Sequence, residues 1–356
     1  MDSKILINIL KNTNVNFYLG AGASYVKSDG HTSFPLMADL LSAVKQDPST
    51  KKIVDFGPYQ LFIDSMISSL NDQGCNIENF LTKMIGFSTY INDEAQKKRY
   101  KTITDSILNI IVDRIQKSNK DDILPIYKRF YKALKFVYTN YKSPINIFTT
   151  NYDLLNEEAM DSIGMHYYSG FHGTVIKKFI PQYYNSDYVD YFGIDGTNYQ
   201  VNQQHVNLYK LHGSLSWRLQ CYDNNDTVVE DISDKNNPVI VYPSINKYND
   251  TNEVVIFTTL QRFFSQKLSH RKSSLIVIGS SLNDQHINKI IENSLLDNTF
   301  NLVLFPFTLE EKARLEFRYA NQNNVFVYYE TGVTLAKFSE IINPSINEEP
   351  DYESED

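Results

Sequence analysis

The run "SSLIVIG", Ser273–Gly279, most limits what this chain can become. It is apolar without alternation, so a strand made from it buries both faces, as strands of a helix-covered parallel sheet do. A helical stretch beginning near His286 follows, then "TFNLVLFPF", the 3.6-periodic "TLEEKARLEFRYANQ" and "NVFVYYE". Earlier in the chain, "VNFYLG", "INIFTTNYD" and "VNLYKLHGSLSW" carry the same strand signal. Strands alternating with helices at this spacing predict an α/β fold of Rossmann-like type, with a parallel sheet flanked by helices.

The pattern changes between the first two of those early strands. From 52 to 138 the segments "YQLFIDSMISSLND", "IENFLTKMIGFSTYI", "AQKKRYKTITDSILNIIVDRIQKS" and "ILPIYKRFYKALKFVYTN" each show one apolar stripe. That stretch reads as an inserted helical module interrupting a domain over 1–335. In its last segment Tyr127, Phe130, Tyr131, Phe136 and Tyr138 spread over more than one helix face. They are expected either to form part of a homo-oligomer interface or to be consumed by packing on the α/β part. Residues 165–206 are rich in Tyr, Asn, Asp and Gly, and read as a lid or binding loop because they are long for a plain connection. The tail, 340–356, ends in the acidic "NEEPDYESED" and is predicted to be disordered.

A formal charge of -8 argues against broad electrostatic capture of DNA or RNA, so no strong direct nucleic-acid binding is expected. The two cysteines, Cys75 and Cys221, are too few for a four-cysteine zinc site or a disulfide framework. "MDSKILINILKN" does not read as a signal peptide, and no apolar run reaches the roughly eighteen residues that span a bilayer. The chain therefore reads as cytoplasmic and without a membrane partner. His31, His166 and His172 lie in predicted loops and are expected to be surface histidines; no metal site is expected.

Four polar loops fall at ends of predicted strands: Gly20–Ser24, Thr149–Asp153, Leu211–Ser214 and Gly279–Asp284. Open α/β sheets bind ligands at those carboxyl ends. Small residues after a strand suit close approach to a phosphate, although "GAGAS" has neither the G-x-G-x-x-G nor the Walker A spacing. Several residues keep two readings. Ser24 is a ligand hydroxyl or a helix cap; Asp153 caps "LLNEEAM" or serves the site; Asp284 caps the helix starting near Gln285 or meets a ligand. His212 is a satisfied buried histidine or an acid–base group near neutral pKa.

Together, "GAGAS … TTNYD … KLHGS … GSSLND" resembles the sirtuin superfamily, in its branch of bacterial defence NADases. The four motifs occur in the family's order over roughly 1–47 and 140–335. The resemblance implies that Gly20, Ala21, Gly22 and Ser24 form the phosphate-binding turn. Thr150 and Asn151 are implied beside the nicotinamide ribose, with Asp153 shortly after. It makes His212, followed by Gly213, the active-site histidine, and sets Gly279, Ser280 and Ser281 against the adenosine side of NAD+, with Asp284 after them. Asn151 and His212 are the implied catalytic pair.

Two departures bear on the reaction. Protein-deacetylating sirtuins carry a four-cysteine zinc ribbon after the histidine motif, where this chain has Cys221 alone, so no zinc is expected. They also carry an Asp-Phe-Arg segment where Pro35 is here followed by Leu36 and Met37. What the resemblance then implies is an NAD+ hydrolase, giving ADP-ribose and nicotinamide, in anti-phage defence by NAD+ depletion. Control by homo-oligomer assembly, or by a HerA-like ATPase or Argonaute-type partner, is expected. Two alternatives share the pocket: an NAD-dependent deacylase or ADP-ribosyltransferase, and a non-catalytic NAD- or ADP-ribose-sensing scaffold.

Overall fold

The computed structural model describes residues 3–25, 27–28, 31–32, 37–46, 60–68, 80, 83–84, 86–87, 90–116, 120–137, 144–192, 198–202, 204–222, 225–234, 238–241, 255–282 and 284–344. In chain order the strands are β1 (Asn14–Leu19), β2 (Lys27–Ser28), β3 (His31–Thr32), β4 (Ile145–Thr149), β5 (Tyr167–Tyr168), β6 (Phe171–His172), β7 (Lys177–Phe179) and β8 (Tyr188–Phe192). They continue as β9 (Asn198–Asn202), β10 (Val206–Lys210), β11 (Trp217–Tyr222), β12 (Asn225–Glu230), β13 (Ser273–Ile278), β14 (Asn301–Phe305) and β15 (Val325–Val327). The α-helices are α1 (Ser3–Asn12), α2 (Met37–Gln46), α3 (Gln60–Ser68), α4 (Glu94–Gln116) and α5 (Lys120–Val137). After them come α6 (Leu155–Ser162), α7 (Val255–Leu268), α8 (Gln285–Ser294), α9 (Leu309–Arg318) and α10 (Leu335–Ile342).

Contacts divide the chain into two units: one of Met1–Val26, Lys120–Val239 and Ile256–Asp356, and one of Lys27–Asn119 and Ile240–Val255. The first unit holds a seven-stranded sheet in the order β15-β14-β13-β1-β4-β10-β5, with every pairing parallel. All residues of β4, β10 and β13 are buried, the polar Asn146, Thr149, Asn207 and Lys210 included, as strands covered on both faces require. β1 shows why helices cover both faces. Its Phe17 meets Phe130 of α5 and Phe338 of α10, while the next residue, Tyr18, meets Phe264 of α7. Successive strand residues point to opposite faces, so those contacts lie on the two sides of the sheet. From β1 the chain builds β4, β5 and β10 on one side, then crosses to start β13 on the other. Strand order reverses beside β1, and the carboxyl ends at such a reversal are where open α/β sheets bind ligands.

The aromatic helix α5 belongs to this unit, although its sequence groups it with the 52–138 insertion. Tyr127, Phe130 and Tyr131 are completely buried there, which makes them core; Phe136 is exposed, and Tyr138 lies outside the described residues. The stretch 165–206 carries short strands joined by loops and one turn of 3-10 helix, Pro181–Asn185. β6 and β7 join β11 and β12 in an antiparallel sheet, and β8 pairs with β9. Aromatic contacts stabilise it where periodicity is missing: Phe171 on Trp217, and His172 stacked on Tyr183 with ring centres 3.8 Å apart. His166 stacks likewise on Tyr188. The second unit contains α2, α3 and α4, and has its own core. There the buried Phe87 meets Tyr100 edge to face, and the Tyr100 hydroxyl donates to the Met84 carbonyl at 2.8 Å, while the half-exposed Phe62 stacks on Phe87 from the rim at 4.2 Å. The acidic tail beyond 344 and the segment holding Cys75 lie outside the described residues.

Candidate active site at the carboxyl ends of the sheet

The glycine turn after β1 is a single turn of 3-10 helix, Ala21–Ser24. It is wrapped around another stretch of backbone. Gly20 N–H donates to the Ile278 carbonyl at 3.0 Å, and Gly22 N–H to the Gly279 carbonyl at 2.8 Å. A Cβ on Gly20 would lie 2.5 Å from the Gly279 oxygen, and one on Gly279 would lie 1.9 Å from Ala23 N. Gly279 also holds φ +67°, a left-handed backbone that suits glycine. Small residues on both loops thus let two main chains touch. The amides of Gly20, Gly22, Ala23 and Tyr25 are taken by protein carbonyls, so the turn offers a ligand the half-buried surface of Ala21 and Gly22. Ser24 is buried with its hydroxyl 2.7 Å from that of Tyr127 on α5.

The loop after β4 is fastened to the same turn. Thr149 Oγ1 donates to the Leu19 carbonyl at 2.8 Å and accepts from Asn151 N–H at 3.0 Å. Asn151 Nδ2 donates to the Gly20 carbonyl at 3.3 Å, and its amide also meets the Tyr127 hydroxyl. Burial, then the charge of Asp153, pushes the Tyr127 phenol far above its ordinary value, so it stays neutral. Thr150 is half-buried and reaches the Tyr18 hydroxyl, as does Ser280 from the β13 loop. Asp153 is buried; its Oδ1 accepts from Leu155 N–H at 3.0 Å, so it supports the start of α6. Burial raises its carboxyl above the usual range, and the Lys210 ammonium opposes the rise.

At the end of β10, His212 presents Nε2 to Asp284 Oδ2 at 3.1 Å. Asp284 does two things at once. Its Oδ1 accepts from His286 and Ile287 N–H at 3.0 and 3.3 Å, capping α8, while Oδ2 faces the imidazole. The capping reading of this residue is thereby present, and its second oxygen is taken up with His212. Gly213, at φ +88°, turns the chain away after the histidine. In the β13 loop the Leu282 N–H donates to Ser280 Oγ at 3.2 Å, and Arg314 donates to the Ser281 carbonyl at 2.7 Å. Leu282 is buried at φ +52°, strained for a branched side chain, and Asn288 holds its carbonyl.

All four motif loops thus leave strands that are neighbours in the order β13-β1-β4-β10. Gly20, Gly22 and Gly279 meet directly, Asn151 joins them through Gly20, and Asp284 joins His212. Tyr18, Tyr127, Glu157 and Lys210 also support these loops, although none is among the sequence-predicted site residues. The tyrosines are two among 25, and carry no mark in the sequence that separates them from core. Lys210 stands in plain view at the head of "KLHGS". Among the described residues no group of three or more His, Cys, Asp or Glu side chains could hold a metal, and no helix is long and apolar enough to cross a membrane.

The model of the SIR2-like domain family matches residues 145–328, just over half of the chain. The chain belongs to that family. NAD+ is the substrate that the SIR2 fold uses, and the activity expected of it is therefore NAD-dependent in general terms. Comparison with curated proteins finds no match. Among solved structures, a Sir2 variant described with a deacetylated p53 peptide and 3'-O-acetyl ADP-ribose is similar over 96% of this chain and 97% of its own, at 11% identity and a TM-score of 0.33. At that score the likeness carries no weight beside the family match.

Proposed function

We propose that this chain hydrolyses NAD+ to ADP-ribose and nicotinamide, as a defence enzyme that depletes NAD+ when infection triggers it. The observation that carries the reading is the His212–Asp284 pair, with His212 on the loop next to the one that holds Asn151. Cleaving the N-glycosidic bond sends its electron pair away with neutral nicotinamide and builds positive charge on the ribose. Asn151 positions the attacking water, whose oxygen bonds to the ribose carbon. His212 takes the proton released, and Asp284 orients the ring and offsets the charge that forms on it. The neutral, buried Tyr18 and Tyr127 keep Thr150, Ser280 and Asn151 in place without adding charge.

Such an activity endangers its own cell and needs a restraint. We place that restraint in self-assembly or a partner of the HerA-like ATPase or Argonaute type. The exposed Leu61 and Tyr90 and the half-exposed Phe62 of the helical unit support an assembly surface there. The test is incubation of the purified chain with NAD+, alone and with the products of neighbouring genes, with nicotinamide, ADP-ribose and labelled protein all measured. Release of both small products supports hydrolysis. Label moved to protein would make the chain a transferase, and tight NAD+ binding without turnover in every assembly would make it a sensor.

A further inference from the structure

Behind the Asn151 and His212 loops lies one buried cation. Lys210 ends β10 and is 1% exposed. Period-2 geometry turns it away from Tyr209, onto the face covered by α6. Its Nζ lies 2.9 Å from Glu157 Oε1 and 2.9 Å from Ser214 Oγ, bonds the Asp153 carbonyl, and stands 3.4 Å from the Tyr152 carbonyl. Tyr152 and Asp153 directly follow Asn151, whereas Ser214 is two residues beyond His212. The ammonium therefore spans the two loops that carry the proposed catalytic pair. Two backbone bonds, from Leu215 N–H to the Tyr152 carbonyl at 2.9 Å and from Leu211 N–H to the Thr149 carbonyl at 2.8 Å, run parallel to it.

A buried ion pair is a poor device for stability alone, because desolvation offsets much of its attraction and apolar residues of similar size often do better. A cluster of one ammonium and two buried carboxylates, with Asp153 Oδ2 and Glu157 Oε2 both lacking a partner, is poorer still. What it supplies is geometry, since an ammonium directs three hydrogens to fixed acceptors. We propose that Lys210 is a positioning residue: its ammonium staples the loop 151–154 to the loop 211–215 and so sets the placement of Asn151 relative to His212. The proposal rests on the hydrolase reading for its catalytic consequence, but not for the staple itself.

Two measurements on the full chain keep those parts separate. Amide hydrogen exchange of the wild type, K210M and S214A reads the staple without any substrate. K210M is expected to exchange about tenfold faster over 151–156 and 211–216, with β13 and β14 unchanged. S214A, which removes the ammonium's acceptor on the histidine loop together with the Ser214 hydroxyl's bonds to Ser216 Oγ at 3.1 Å and the Tyr152 carbonyl at 3.5 Å, is expected to loosen 211–216 most, and it decides the matter if K210M does not fold. Wild-type exchange in both loops of K210M, or loss of protection spreading through β13 and β14, would overturn the staple. The second measurement is nicotinamide release. K210M should lose at least about tenfold in kcat with KM within about threefold, and K210R should recover part of it. A changed KM with unchanged kcat would contradict positioning. If exchange behaves as expected while the wild type never releases nicotinamide, the staple stands and the hydrolase reading falls. An active wild type with unchanged exchange in K210M would instead remove the staple and leave the hydrolase reading in place.

Discussion

The two ends of the central sheet are both polar and both buried, yet they differ in what their polar atoms do. Near the amino ends, Asn16, Asn146 and Asn207 form one row across β1, β4 and β10. Asn146 Nδ2 donates to Asn16 Oδ1 at 3.0 Å, Asn207 Nδ2 donates to Asn146 Oδ1 at 3.3 Å, and Asn16 Nδ2 donates to the Ser274 carbonyl at 3.0 Å. The row spends its hydrogen bonds on neighbouring strands and ties β13, β1, β4 and β10 in register. At the carboxyl ends, loops meet through glycine backbones, and an imidazole held by a carboxylate stands on one of them. Buried polarity alone does not mark a site. The difference lies in whether titratable groups are present and oriented.

That contrast can be broken, beginning with the largest effect. N151A should reduce nicotinamide release by about 10²- to 10⁴-fold, the range for losing a positioned proton-transfer partner, while the melting temperature stays near wild type. G279A should separate two loops, because its Cβ would sit 1.9 Å from Ala23 N at φ +67°. It is expected to cost about 1–3 kcal/mol and to abolish saturable NAD+ binding in calorimetric titration. Retained tight binding would show that the glycine contact is dispensable.

D284N sharpens the double role of that residue. Asparagine caps helices as well as aspartate, so stability should hold while kcat falls at least about tenfold. Equal loss of stability and rate would mean that capping is its whole contribution. A smaller effect concerns acid. Burial holds the His205 imidazole below its ordinary 6.5; His166 and Lys267 reinforce this and Asp187 opposes it. The folded chain therefore resists a proton that the unfolded chain accepts, so stability falls as pH drops below about 6.5 and is fully present above it. H205Q should flatten that decline in a melting series from pH 7 to 5, and an unchanged slope would remove His205 as its source.

Much of this arrangement is legible in the residues. Unalternated runs such as Leu275–Ile278 predict strands covered on both faces, and the four loops at their ends follow from strand direction. The site's supports are harder to read, for a physical reason. Tyr127 and Lys210 act through partners distant in the chain, Ser24 lying 103 residues and Glu157 lying 53 residues away, and no local pattern encodes such pairs. The strands within 165–206 leave no periodic signal because ring stacking, rather than alternation, stabilises them. Helix α5 reads as part of the insertion because an apolar stripe reports that a helix packs, but not against what.

The central claim is that chemistry belongs to the carboxyl end of the sheet and architecture to the amino end. The most direct test is the initial rate of nicotinamide release from NAD+ by wild type, H212A and N146A in one assay, under whichever assembly makes the wild type active. N146A leaves Asn16 Oδ1 and Asn207 Nδ2 without their partner and should lower stability by about 1–3 kcal/mol, yet the folded protein should release nicotinamide at the wild-type rate. H212A should fold normally and release none above background. Turnover by H212A at the wild-type rate, or an N146A protein as inactive as H212A while still folded, would contradict the account.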